Sequence, residues 1–91
     1  MWFIRADRVK EKLVGRDLAV YVGDHRSIHV LNPSARVIWE ALTAPLTFDE
    51  LHFILTEAFP DVASDVLRDD LRDALDQFSR LHIISTAPSA D

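Results

Sequence analysis

The residues equipped for chemistry are few, and their spacing does not favour it. The four histidines, His25, His29, His52 and His82, form no HExxH pattern, and the chain has no cysteine. That removes thiolate zinc sites, disulfides and cysteine nucleophiles together. His25 and His29 are near neighbours, but a turn reads between them, so no shared metal is expected. Adjacent carboxylates such as Asp69 and Asp70 lie in a segment whose acids mostly face water, without the apolar surroundings that tune a general acid or base. The serines have no partner base in a recognisable motif. Two glycines, Gly15 and Gly23, cannot build a phosphate-cradling loop. The inventory points away from an enzyme, with no cofactor and no metal expected, and leaves binding.

The elements that would position a binding site follow from composition and pattern. Ninety-one residues, 48% of them hydrophobic, suit one small domain, taken as residues 1–85 with a disordered tail at 86–91. No apolar run makes a signal peptide or approaches the ~20 residues of a membrane span, so a cytoplasmic protein is expected. The net charge of −5 divides unevenly. Residues 1–36 carry seven Lys/Arg against four acids, and residues 37–91 carry three Arg against eleven acids. Most such charges are solvated faces, but the polarity biases which partners approach which end.

Three strands open the chain: Arg8 to Gly15, Asp17 to Val22, and Ser27 to Leu31, with a hairpin turn through Gly23-Asp24 and His25-Arg26. Asn32-Pro33 then starts a helix, Asn as N-cap and Pro in the first turn. Its apolar stripe is Ala35, Ile38, Trp39 and Leu42, and Pro45 closes the connection. Thr47 and Glu50 form a capping box before a second helix, with Leu46 and Leu51 at the hydrophobic staple positions. Leu51, Ile54, Leu55 and Ala58 form its expected buried face, and Phe59-Pro60 ends it. A third helix, from about Ala63 to Leu81, gathers Leu67, Leu71, Ala74, Leu75, Phe78 and Leu81 in one sector, with Asp65, Asp69, Asp73 and Asp76 opposite. Ile83-Ile84 reads as a short extended piece. The expected fold is α+β and winged-helix-like, an N-terminal three-stranded antiparallel sheet followed by three helices.

That fold suggests three kinds of partner. Nucleic acid is disfavoured, because the third helix and its lead-in carry six Asp against three Arg, which repels phosphates. A peptide added as a strand fits better. An open meander has unpaired main-chain groups at its edges, and alternate guest side chains can enter a neighbouring groove. With Ser27–Leu31 at an edge beside the third helix, Leu71, Leu75 and Phe78 are the candidate apolar contacts, or else ordinary core. Arg68 and Arg72 are placed on the flank to meet acidic groups. The basic meander and acidic helix together make such a groove electrically two-sided. The same edge also permits a homodimer.

The junction VLNPSARVIWEAL, the capped LTFDELHFILTEAF and the stripe LRDALDQFSRLHII, in this order and spacing, resemble the PqqD-like family of RiPP recognition elements over roughly residues 16–85. The resemblance implies a domain that binds the leader segment of a ribosomally made precursor peptide as an added strand. It also implies presentation to a modifying enzyme, such as a radical SAM protein, or to a leader peptidase. Carried onto this chain, the peptide-binding strand is Arg26, Ser27, Ile28, His29, Val30 and Leu31, and the groove helix runs from Leu67 to Phe78. His82 stands where the family commonly has Gly, at a position suited to positive φ.

Overall fold

The structure, a computed structural model, describes residues 1–23 and 28–88. The wing strands are β2 (Val9–Val14), β3 (Asp17–Val22) and β4 (His29–Leu31), in the antiparallel order β2-β3-β4. They are followed by α1 (Pro33–Ala41), α2 (Phe48–Ala58) and α3 (Ser64–Arg80). The α+β arrangement is thus as the sequence predicts. The two-residue loop joining β2 to β3 has Gly15 at φ +63, the glycine position of a II′ hairpin turn.

A second sheet is not visible in the sequence pattern. Strand β1 (Trp2–Arg5) lies between β5 (Leu46–Thr47) and β6 (Ile84–Ala87). Trp2 pairs with both Thr47 and Ala87, and the Ala6 N–H donates to the Ile83 carbonyl at 2.9 Å. Thr86 and Ala87, read from the sequence as part of a tail, are ladder residues opposite Phe3 and Trp2.

The helix ends are built by the residues that announce them. The Asn32 side chain accepts from the Ala35 N–H at 2.8 Å, with Pro33 in the first turn. Thr47 and Glu50 exchange both bonds of the capping box. At the end of α3, His82 takes φ 60, its N–H donates to the Ser79 carbonyl, and the Ile83 N–H donates to the Phe78 carbonyl. This pair of bonds is a Schellman motif. Its apolar clasp is present as well, because Phe78 and Ile83 are both buried. Histidine does here what glycine does at lower cost.

One hydrophobic cluster joins the inner face of the wing (Leu18, Val20, Leu31) to Ile38, Trp39 and Leu42 of α1 and its cap, Leu51 and Leu55 of α2, and the α3 stripe. Trp39 and Phe78 meet edge to face, 6.3 Å between ring centroids. On α2, Ile54 is half-buried and Ala58 is exposed, so its buried face is narrower than the pattern suggested. A polar lock ties the sheets to α1. Glu11 accepts from the Trp39 indole N–H at 2.6 Å and pairs with Arg5 at 3.1 Å, while Arg5 donates to the Trp39 carbonyl at 2.8 and 3.0 Å. Among the described residues, no helix is long and apolar enough to cross a membrane.

Candidate functional site

The phase of the hydrogen bonds decides which wing residues offer their backbone outward. In a two-residue hairpin the flanking pair, Val14 and Asp17, exchanges both bonds, and antiparallel pairs then alternate bonded and non-bonded. The Gly23 N–H donating to the Arg8 carbonyl at 3.2 Å, three pairs of this kind further on, keeps the same phase. Asp17, Ala19 and Tyr21 therefore face β2, and Leu18 and Val20 face β4. Leu18 pairs with Leu31 and Val20 with His29, which uses the inward groups of both β4 residues. Val30 is left with its N–H and C=O on the open side of β4, where no strand pairs among the described residues. The N-terminal arm does not occupy this edge, since it lies in the second sheet.

The side chains along this edge are apolar and uncovered: Ile28 is 52% and Val30 58% exposed. Leu31 is buried and His29 half-buried on the inner face. Arg26 and Ser27, the other two residues expected in the peptide-binding strand, lie outside the described residues.

The strand runs out at Asn32, which begins one wall of a cleft of about 200 Å³. Asn32 and Ser34 stand on one side, Asp70, Asp73 and Gln77 on the other, with Ala35 and Ala74 completing the lining. The four apolar α3 candidates, offered by the sequence as groove contacts or core, do not line this cleft. Leu67, Leu71, Leu75 and Phe78 are 2%, 0%, 5% and 2% exposed, so in this structure they are committed to the core. At ~100° per residue, Arg68 and Arg72 fall on the flank of the buried stripe away from Asp70, Asp73 and Gln77. Both arginines are exposed, and Arg72 lies 3.7 Å from Asp69. The sequence showed the apolar stripe. Which flank meets the strand depends on the path of the chain between β4 and α3, and no local pattern encodes that.

The remaining histidine in the helical half is structural. His52 Nε2–H donates to the Ser64 carbonyl at 2.9 Å and ties α2 to the first turn of α3. Among the described residues, no three His, Asp or Glu side chains converge as metal ligands.

The sequence profile of the family described as coenzyme PQQ synthesis protein D (PqqD) matches residues 19–84, from β3 through the start of β6. No curated protein sequence matches the chain. A solved structure described as TbiB1 in complex with the TbiA(beta) leader peptide superposes with a TM-score of 0.77 at 15% sequence identity. The match covers 94% of this chain and 99% of that one. At that identity the likeness establishes a shared fold.

Proposed function

The chain belongs to the PqqD family, and from that premise we propose that it is a RiPP recognition element. In this reading it binds the leader segment of a ribosomally synthesised precursor peptide as a strand along the free edge of β4. It does no chemistry itself and hands the bound precursor to a modifying enzyme, such as a radical SAM protein, or to a leader peptidase. The observation that carries the proposal is the open N–H and C=O of Val30, flanked by exposed Ile28 and Val30 side chains and ending at a cleft. That the structurally similar TbiB1 is complexed with a leader peptide supports it.

Magnitudes say what else the site needs. Two main-chain bonds at about 1 kcal/mol each fall short of the roughly 4 kcal/mol that even a millimolar complex requires. Side-chain contacts must supply the remainder, from the apolar surface beside Val30 and from the cleft. The strand is pinned to β3 on one side and to a capped helix at its end, so little ordering is needed when a guest arrives.

Fluorescence polarisation with labelled N-terminal segments of the small peptides encoded beside this chain tests the reading. Val30→Pro removes an outward N–H at a position where an edge strand tolerates proline. It is expected to weaken binding about tenfold, one bond lost and a guest carbonyl left unpaired, with the fold intact by circular dichroism. His29→Pro breaks the β3–β4 ladder instead and is expected to lower the Tm. Unchanged affinity in Val30→Pro contradicts strand addition. Size exclusion over a concentration series separates peptide capture from self-pairing at the same edge.

A further inference from the structure

We propose that the bound peptide carries a Lys or Arg side chain that enters the cleft between the end of β4 and α3, one residue before or after the peptide residue that pairs with Val30. The inference rests on docking at β4 as proposed above and adds the chemistry of the guest. In a sheet, residues directly opposite one another point to the same face. The peptide residue opposite Val30 therefore shares its outer face, where Val30 is 58% exposed and favours an apolar neighbour. The residues on either side of it turn to the face of His29 and Leu31, the side on which the cleft lies.

What such a side chain meets is fixed by α3. Asp70 and Asp73 line the cleft, and neither makes an ion pair among the described residues. Arg72 and Arg80 pair instead with Asp69 and Asp76. The strand edge makes the site, and the carboxylates set its preference. Ala35 and Ala74 are both buried and present little more than methyl groups. A long aliphatic stem can lie across them while its charged head reaches the carboxylates, the arrangement in which Lys and Arg are most at ease. An acidic guest side chain at that position meets two like charges.

A displayed random dodecapeptide library, selected on the intact chain, tests this directly. The wild type is expected to enrich peptides in which Lys or Arg recurs next to an apolar residue. In the Asp70→Asn/Asp73→Asn double variant the apolar position is expected to persist and the basic preference to disappear. An individual enriched peptide should bind the variant about tenfold more weakly at low salt, the difference shrinking as salt rises. Enrichment without a basic position, lost in Val30→Pro, overturns this proposal and leaves peptide docking standing. No enrichment, or enrichment that Val30→Pro does not disturb, overturns both. The two carboxylates also stand near the first turn of α1, which has no acid of its own. If they serve only that helix, the double variant lowers the Tm and keeps the peptide preference, and the proposal falls.

Discussion

The wing has two free edges among the described residues, and they are equipped differently. Along β2 the chain reads Val-Lys-Glu-Lys-Leu-Val, so Lys10 and Lys12 alternate with Val9, Glu11 and Leu13, the residues whose backbone faces out. Lysines on an edge are a common guard against a foreign strand. Glu11 is also engaged with Trp39 and Arg5, which ties that strand to α1 and to the second sheet. Strand β4 carries no charge from Val30 to Leu31, exposes Ile28 and Val30, and ends at a cleft. Both edges have open main-chain groups. Availability alone therefore does not select a docking site, and the side chains beside each edge decide between them.

The comparison can be broken or sharpened by substitution. The largest effect is expected from Leu71→Ala, because Leu71 is fully buried. Urea denaturation should show a loss of about 2–5 kcal/mol, while the folded fraction keeps its peptide affinity, since the contacts proposed for the guest lie elsewhere. Wild-type stability in that variant contradicts the assignment of the α3 stripe to the core. Glu11→Ala should lower stability by about 1 kcal/mol, the scale of one partly exposed charge-assisted bond. It should leave the β4 edge working, as measured by polarisation. The smallest effect is expected from Leu13→Pro. Leu13 is 66% exposed and has its N–H on the open side of β2, so its peptide affinity should stay within about twofold of wild type at a position where proline is tolerated. A loss there as large as that in Val30→Pro exchanges the roles of the two edges.

Much of this organisation was legible in the sequence. Asn32-Pro33 and the Thr47/Glu50 pair carry their own capping chemistry, and the α3 stripe has the helical period, so all three helices could be placed from local rules. The meander was readable from β-rich segments and the glycines between them. The second sheet was not. Its partners are short segments far apart in sequence, such as Trp2 with Thr47 and Ala87, too short for any period to register. The candidate site was legible in part. The strand could be named from its junction with α1, but its outward residue is Val30, as the hairpin's hydrogen-bond phase dictates. The lining of the cleft was not legible, for a physical reason. An amphipathic stripe marks what is buried, whereas a groove is lined by the stripe's borders, here Asp70, Asp73 and Gln77.

Amide exchange followed by NMR, residue by residue with and without a bound peptide, tests the central claim most directly. The His29 and Leu31 amides already bond to β3 and should change little, while the Val30 amide should pass from rapid exchange to strong protection. Protection that appears at Glu11 and Leu13 of β2, with Val30 still exchanging freely, contradicts the account.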